Sequence, residues 1–326
     1  MDILSIIPPY TNITSSISYL SKQSLVDSFY ILNQTLSTPL THVLNAKIHF
    51  DEGHVLWALT IIFLLQMLAT IVHTIFFGYD RIPVRGKHLD YLGVVDYVYI
   101  WFNKLQIPPF VYVLYRYMYT REEKFISWDV ESLVTKGGWW RAIPMFLLQL
   151  AMLFVVYDFF YSLLHNFLHR KGIYEWIHKH HHKQKAPSRG NTDAVNVHPV
   201  EFFLGEWNHL FALIVLNYVF RRQLHVISCV LFLGIGGVLA TLNHTRYDVV
   251  VKWWNGAVIY DSKAHDVHHR KPRSNFGQYI MLWDSIWGTF RSYEEGEKVI
   301  EEMQIDYKTG RALNCESAAA ARKKKE

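Results

Sequence analysis

A run of 23 mostly apolar residues, 55–77, constrains the fold of this chain more than any other feature of its sequence. Only Gln66 and His73 interrupt the run. An α-helix rises 1.5 Å per residue, so a helix of this length covers a bilayer hydrocarbon core of about 30 Å. Buried helices of soluble proteins are rarely this long and this apolar. The run therefore predicts a membrane-spanning helix.

The composition agrees with a membrane protein. Of 326 residues, 51% are hydrophobic and only 19% are charged, whereas soluble domains carry about 25% charged residues. The net charge of +5 is modest, and the basic residues lie beside apolar runs, which argues against a nucleic-acid partner. Two cysteines, Cys229 and Cys315, are too few for a disulfide framework, and we expect both to be unpaired.

Three further apolar segments follow along the chain. Residues 91–119 contain a Pro-Pro pair and charged residues, which indicates a kinked or partly interfacial crossing, and 144–164 form a clearer span. Residues 202–242 form either a helical hairpin or a re-entrant pair of helices, and the sequence does not decide between them. These segments predict an all-α, integral-membrane helical bundle with about four transmembrane helices and a cytosolic helical cap.

Charges beside the first span predict its orientation. Basic residues follow it between 81 and 88, whereas Asp51 and Glu52 precede it. The positive-inside rule then places segment 1–50 in the lumen. We expect a membrane domain over 51–293 and a charged cytosolic tail over 294–326. The chain ends in KKKE, which looks like a dilysine signal for retrieval to the endoplasmic reticulum.

Histidines form three clusters, HNFLH, HKHHH and HDVHH. If each cluster lies on a helix, residues at i, i+3 and i+4 share a face. Imidazole suits Fe, Zn, Cu and Ni, and eight imidazoles exceed what one tetrahedral zinc ion can use. The clusters therefore predict two metal ions, each with room left for a small molecule. The candidate ligands are His165, His169, His178, His181, His182, His265, His268 and His269.

Three polar residues near the clusters are candidates to support the ligands. Asp158 lies in an apolar run, two helical turns before His165. It either orients a ligand imidazole or pairs with a Lys or Arg of a neighbouring helix. Asp266 lies inside the third cluster and is expected to support a ligand or cap a helix. His180 is off the ligand face of the second cluster, and we expect it to support other ligands or to be exposed.

The clusters and their flanking motifs resemble the fatty acid hydroxylase/sterol desaturase superfamily of integral-membrane, histidine-box, di-iron oxidoreductases. The resemblance covers about 140–292 and implies that His244 is a ninth ligand. Acyl hydroxylases of the superfamily repeat a histidine where this chain has Asp248. His198 either replaces it as a ligand or holds its own loop through the Pro199 turn. The flanking motifs are Pro187, His198–Glu201, Asn243–His244, Asn275–Gly277, Trp283–Asp284 and Gly288–Thr289.

The resemblance implies two Fe ions, O2 as co-substrate, and a lipid substrate that enters from the bilayer. It implies hydroxylation or desaturation, with that choice open, at a cytosolic site on a multi-pass protein of the endoplasmic reticulum membrane. Asp248 and the lack of a fused haem domain favour a sterol-type substrate, with acyl-chain or sphingoid-base hydroxylation as the alternative. Electrons are then expected from an external cytochrome b5 or its reductase.

Other interpretations of the sequence remain. A basic stretch could dock an acidic electron donor or touch lipid headgroups. A metal-handling membrane protein would place histidines within several spans, whereas here they gather at the ends of spans. A non-catalytic relative would be expected to lack some of the box histidines. The basic stretch contains Lys179, Lys183, Lys185 and Arg189.

Overall fold

The computed structural model describes residues 52–85, 91–120, 125–129 and 139–293. The predicted lumenal segment 1–50, the tail 294–326 with its KKKE signal, and Cys315 lie outside the described residues. The described part is mostly helical, as the sequence predicts.

Eight α-helices and four short strands occur in the described residues. In chain order they are α1 Glu52–Phe76, α2 Val94–Thr120, β1 Ile126–Ser127, α3 Trp139–Leu168, α4 Asn191–Ala194, α5 Pro199–Ile214, β2 Leu224–His225, α6 Val226–Leu242, β3 Val250–Lys252, β4 Val258–Asp261, α7 Ser262–Arg270 and α8 Leu282–Trp287. Two π-helical turns, Tyr174–His178 and Val215–Val219, and a 3₁₀ turn, His181–Lys183, complete the helical structure.

Two of the described helices are long and apolar enough to cross a bilayer. They are Trp140–Leu168 within α3, and Pro199–Val219, which is α5 with its π-helical extension. The apolar stretches Thr60–Phe76 of α1 and Val226–Leu242 of α6 are shorter. The helices thus indicate a membrane protein, and the predicted total of about four crossings stays a proposal.

Helix α3 is the centre of the bundle and packs against both α5 and α6. Helix α2 packs on α1 and α5, and α1 also packs on α6. Lipid tails are as apolar as these side chains, so close packing rather than hydrophobic burial holds the helices together. The largest buried cluster joins Leu153 and Tyr157 of α3 to Leu213 of α5 and Phe232 of α6.

Hydrogen bonds from polar side chains join the segments at the end of the bundle where α5 meets α6. The Asn217 side chain donates to the carbonyl oxygens of Phe125 and Arg222, at 3.0 and 2.7 Å, and accepts from the Tyr117 hydroxyl. Gln149 of α3 accepts from the backbone N–H of His225 at 2.9 Å. Buried backbone groups that leave a helix need such partners.

A β-hairpin between α6 and α7 departs from the all-α prediction. Strands β3 and β4 pair antiparallel, and the turn between them contains Asn255 and Gly256, whose φ is +84°. Valine-rich segments around an Asn-Gly turn favour a hairpin. The hairpin leads into α7, which Asp261 caps by accepting from the Lys263 N–H at 2.8 Å, and so it positions the third histidine cluster.

Candidate metal centre

The structure gathers nine histidines into two neighbouring groups, and each group could hold a metal ion. Within a group, the candidate ligand atoms all lie within 4.8 Å of one another. Rings of the two groups also touch, as the 5.0 Å between the ring centroids of His182 and His269 shows. Group A contains His165, His169, His178, His182 and His268, and group B contains His181, His244, His265 and His269.

The division of the groups does not follow the sequence clusters. The second cluster is not on an α-helix, contrary to the geometry assumed from its spacing: His178 ends a π-helical turn, and His181 begins a 3₁₀ turn. Because the helical type changes here, the side chains of His181 and His182 point to different groups: His181 lies in group B and His182 in group A. The third cluster does lie on a helix, α7, where His265 and His269 share a face in group B.

In group A, the Nε2 atoms lie close together, and three of the five rings contact the protein through Nδ1. Nε2 of His178 lies 3.1 Å from Nε2 of His165 and 3.0 Å from Nε2 of His182. The Nδ1 atoms of His165 and His268 contact the carbonyl oxygens of Phe276 and Ser274, at 2.9 and 2.7 Å.

Glu201 supplies the corresponding partner for His178. Its Oε1 lies 2.8 Å from Nδ1 of His178, while its buried Oε2 has no hydrogen-bond partner among the described residues. A carboxylate behind an imidazole fixes the orientation of the ring and increases the basicity of the opposite nitrogen.

In group B, as in group A, Nε2 atoms of the rings lie about 3 Å apart, and two of the rings contact carbonyl oxygens through Nδ1. Nε2 of His265 lies 3.1 Å from Nε2 of His244 and 3.0 Å from Nε2 of His269. The Nδ1 atoms of His244 and His269 contact the carbonyl oxygens of Ala240 and Gln184, at 2.8 and 2.7 Å. His181 packs its ring against His269, with 4.5 Å between centroids.

These contacts fit a metal ion. A carbonyl oxygen only accepts, so an Nδ1 that contacts one carries the proton, and the Nε2 of the same ring presents a lone pair. The lone pairs of His165 and His178, whose Nδ1 atoms contact acceptor oxygens, face each other at 3.1 Å and form no hydrogen bond. Two metal–nitrogen bonds of about 2.1 Å at a right angle would separate their nitrogens by about 3.0 Å, close to the spacing observed within both groups.

Burial keeps these imidazoles neutral. It lowers the pKa of His178 to about 3, and burial together with His165 and His178 lowers the pKa of His169 to about 2. The pKa values of His181 and His268 are also far below the usual range, mainly because of burial. A neutral imidazole is the form that binds a metal ion.

Asp158 supports His165 through a loop rather than by direct contact. The carboxylate of Asp158, fully buried in α3, accepts from the backbone N–H groups of Gln278, Tyr279 and Ile280. That loop includes Phe276, whose carbonyl oxygen faces Nδ1 of His165.

A second carboxylate fixes the loop from the other side. Asp284 of α8 accepts from the N–H groups of Phe276 and Gly277, at 2.8 and 2.7 Å. The Cβ of any residue larger than glycine at Gly277 would lie 2.7 Å from the Ile280 carbonyl oxygen, so the loop requires glycine there.

The other predicted site residues lie outside both groups. His198 caps α5, because its Nδ1 accepts from the Val200 N–H at 3.2 Å. His180 contacts Asp96 and Asn196, at 3.0 and 2.9 Å.

Asp266 and Asp248 each pair with basic residues. Asp266 forms ion pairs with Arg246 and Arg270, and the cap of α7 is Asp261 instead. Asp248 pairs with Lys263 at 2.9 Å. Group B is therefore assembled from four histidines without a contribution from Asp248 or His198.

A cavity of about 240 Å³ extends from the two groups into the helical bundle. It reaches His165 of group A and His181, His244 and His265 of group B. Its walls are otherwise mostly apolar and come from α2, α3, α5 and α6; they include Ile107, Phe110, Leu114, Leu164, Phe202 and Leu233. A hydrocarbon in this cavity would lie beside both candidate metal positions.

Sequence reasoning gave no role to two carboxylates that shape this centre, Glu201 and Asp284. Both belong to motifs already noted, His198–Glu201 and Trp283–Asp284. An acidic residue in an apolar helix is a signal for Glu201. The backbone oxygens that bind the imidazoles could not be predicted from the sequence, because any residue type can supply a backbone carbonyl.

Comparison with known proteins matches residues 150–289 to the fatty acid hydroxylase family model. The chain is 31% identical to methylsterol monooxygenase 1 of Gallus gallus over 168 residues, 49% of this chain and 53% of that protein. It is 28% identical to the Delta(7)-sterol 5(6)-desaturase of Eremothecium gossypii over 165 residues, 48% of this chain and 43% of the desaturase.

A cholesterol 25-hydroxylase-like protein of Caenorhabditis briggsae is 23% identical over 252 residues, 67% of this chain and 78% of that protein. The chain spans about half the length of the monooxygenase and the desaturase that it matches. No solved structure matches. The matched segment 150–289 contains all nine histidines of groups A and B, so the part of the chain that is similar to the fatty acid hydroxylase family includes the whole candidate metal centre.

Proposed function

We propose that this protein is an O2-dependent, di-iron membrane oxidoreductase that hydroxylates or desaturates a sterol-type lipid. The observation that carries the proposal is the cavity, because an apolar space reaches histidines of both groups. The superfamily and its sterol-oxidising relatives support iron and a sterol-type substrate.

In this proposal groups A and B each hold one Fe ion. Reduced iron with O2 supplies the oxidising power needed to remove hydrogen from an unactivated C–H bond. The chain holds the imidazoles in place through the Phe276, Ser274, Ala240 and Gln184 carbonyl oxygens. The apolar walls position the hydrocarbon and exclude water from the reacting carbon.

An external donor, cytochrome b5 or its reductase, is proposed to supply the electrons. The basic surface for it is smaller than the sequence indicates. Lys179 and Lys183 are exposed, whereas Lys185 donates to the His269 carbonyl oxygen at 2.9 Å. Arg189 is buried and pairs with Asp193 at 3.3 Å.

We also propose a multi-pass protein of the endoplasmic reticulum membrane with the histidines on the cytosolic side. The 21 residues of Pro199–Val219 rise about 31 Å, which supports a spanning hairpin of α5 and α6 over a re-entrant pair. A cysteine replacing Arg222 should then react with an impermeant maleimide only from the lumenal side of sealed vesicles. One replacing Arg273, near the histidines, should react only from the cytosolic side.

Iron content and turnover test the function together. Purified protein should contain about two irons per chain, and His181→Ala and His268→Ala, one from each group, should abolish product while the protein remains in the membrane. His225→Asn is the matched control, since His225 lies at the opposite end of α6 from His244. A haem spectrum, or turnover in both alanine variants, would refute the proposal.

Lipid profiling of cells with and without the gene identifies the reaction. A product heavier than its precursor by one oxygen indicates hydroxylation, and one lighter by two hydrogens indicates desaturation. If neither change occurs in any lipid, the chain is not acting as such an oxidoreductase.

A further inference from the structure

The β3–β4 hairpin exposes apolar side chains that the candidate metal centre does not use. All three residues of β3, Val250–Lys252, are exposed, and the turn adds Trp253 and Trp254, which are 48% and 85% exposed. The two indole rings lie against each other, with 4.3 Å between their centroids. An exposed apolar edge strand readily pairs with another chain unless something covers it. This surface therefore indicates a partner.

The base of the hairpin lies where two apolar helices end. Asp248 donates its backbone N–H to the Asp80 carbonyl oxygen at 2.9 Å, which joins the segment after α6 to the segment after α1. The ends of α1 and α6 also share a buried apolar cluster, so the C-terminal ends of both helices lie on one side of the bundle. Phe77 and Tyr79, which follow α1, are exposed as well. In the proposed topology this side is the cytosolic surface of the bilayer.

The composition of the hairpin favours lipid as the partner. Lys252 is the one charged residue between positions 249 and 260, and it is exposed. Tryptophan and tyrosine are enriched at membrane–water interfaces, where an amphipathic ring lies at the level of the headgroups. A lysine beside such rings reaches lipid phosphates, whereas a lysine on an edge strand disfavours pairing with another strand. The hairpin therefore matches a bilayer surface better than a second copy of the chain.

The backbone at the tip of the hairpin forms hydrogen bonds within the turn. Trp253 donates its N–H to the Ala257 carbonyl oxygen at 2.8 Å, and Gly256 donates to the Trp253 carbonyl oxygen at 2.9 Å. The Ala257 N–H donates to Oδ1 of Asn255 at 3.0 Å. Backbone groups without partners are costly where water is scarce. The tip can therefore enter the interface without leaving these groups unpaired.

We propose that the β3–β4 hairpin is a membrane-surface anchor, in which Trp253 and Trp254 insert among the lipid headgroups beside α1 and Lys252 pairs with lipid phosphate. This inference rests on the proposed topology, but not on the proposed chemistry or on iron. The hairpin leads directly into α7, whose histidines belong to both groups. The anchor therefore holds the third histidine cluster at a fixed height relative to the bilayer.

A fluorescent label at the tip tests the insertion. Ala257→Cys is a small change at an exposed position, made together with Cys315→Ser, while the native Cys229 is buried. The purified full-length chain, labelled with NBD in phosphatidylcholine nanodiscs, should be quenched by lipids that carry a doxyl group near the headgroup and only weakly by aqueous iodide. Arg273→Cys is the aqueous control with the opposite pattern, because Arg273 is exposed and lies in the cytosol in the proposed topology.

Variants of the hairpin show which side chains anchor it. Trp253→Ser and Trp254→Ser together should lower the ratio of inserted to free hairpin at least about 10-fold, the effect of burying one large apolar side chain. Trp176→Ser is the matched control, since Trp176 is 84% exposed but lies outside the hairpin, and it should leave the label unchanged. Adding phosphatidylserine should raise the ratio about 5-fold through Lys252, and Lys252→Gln should remove most of that increase.

Strong iodide quenching of the Ala257→Cys label would overturn the inference, as would protection from both quenchers, which means that protein covers the tip, or no effect of the double serine variant. Gly234→Cys separates this result from the proposed topology. Gly234 lies at the middle of α6, and a Cβ there meets open space, so its label should be quenched by a doxyl group near the chain end. If it is, failure at the hairpin refutes only the anchor; if it is not, the topology fails as well.

Discussion

Single side chains in this protein act on the histidines mostly through the backbone. Asp158 is the example: its carboxylate binds three successive N–H groups, 120 to 122 residues away in sequence. The same loop offers the Phe276 carbonyl oxygen to His165. The carboxylate in α3 thus determines where an imidazole of its own helix points, by way of a distant segment.

Asp158→Asn should destabilise this loop. A hydrogen bond to a charged group contributes more than a neutral one, so weakening three of them costs about 2–3 kcal/mol of unfolding free energy. We expect a lower melting temperature and loss of iron mainly from group A. Ser162→Ala is the control, since it removes one bond, Ser162 Oγ to the Asp158 carbonyl oxygen. Equal effects of the two changes would contradict this account.

Glu201→Gln tests the carboxylate that contacts His178, an imidazole of group A, directly. Removing such a partner typically lowers metal affinity 10- to 100-fold, so the variant should release iron faster from His178 and its group during dialysis against a chelator. Glu175→Gln, three residues before His178 and exposed, should release iron at the wild-type rate. Unchanged release from Glu201→Gln would show that the Nδ1 contact is not important for metal binding.

The sequence predicted which histidines come together, but not how they divide between the two groups. The eight box histidines and His244 are the residues that the structure brings together. For Asp158 the sequence left open whether it orients a ligand or pairs with a basic residue, and its carboxylate binds the backbone of the loop that contacts His165. The division between His181 and His182 was not predictable, because it depends on a π-helical turn followed by a 3₁₀ turn. Spacing alone assumes a regular α-helix.

At the scale of elements, helix α6 has an unusual start. His225 caps it, because its Nδ1 accepts from the Ile227 N–H at 3.1 Å. Burial lowers the pKa of His225 below the ordinary value of 6.5. The neutral ring is the form that caps, since a protonated Nδ1 has no lone pair to accept with.

The contribution of this cap should therefore depend on pH. A His whose pKa is lower in the folded state stabilises the fold fully above about pH 6.5, and this stabilisation is lost as the pH falls below that value. His225→Asn replaces the cap with one that does not titrate. Between pH 7 and 5 the wild type should lose about 1 kcal/mol more stability than the variant. Parallel losses would contradict this role of His225.

The apolar runs predicted α1, α3, α5 and α6, because hydrophobic periodicity and length determine such helices. The hairpin β3–β4 was missed, although its valines and Asn255-Gly256 turn are a recognised signal. Its position beside the histidines comes from tertiary contacts. The Val249 N–H bonds the Ser262 hydroxyl at 3.0 Å, and such pairings carry no periodic signature.

At the scale of the whole molecule, the two groups connect α3, α6 and α7. Their histidines come from the end of α3, the turns after it, the end of α6, and α7. Without a cation, the buried lone pairs within each group face one another, which disfavours the closed arrangement. A bound metal adds stability in proportion to the logarithm of its concentration over its dissociation constant.

Removing the metal should therefore lower the melting temperature. At a metal concentration 1,000 times the dissociation constant, the loss is about 4 kcal/mol. Adding Fe(II) to the stripped protein should restore both stability and turnover, whereas Zn(II), which has no redox chemistry, should restore stability alone. A melting temperature unchanged by chelation would mean that the histidines do not hold a structurally coupled metal.

The distribution of the nine imidazoles along the chain has a consequence for biogenesis. Group A draws on residues from 165 to 268, and group B on residues from 181 to 269. Neither can be completed while the ribosome is still translating the first four helices. Completion of both groups is thus a late event that requires α7, since a nascent chain stalled before residue 265 has four of the five histidines of group A but only two of the four of group B.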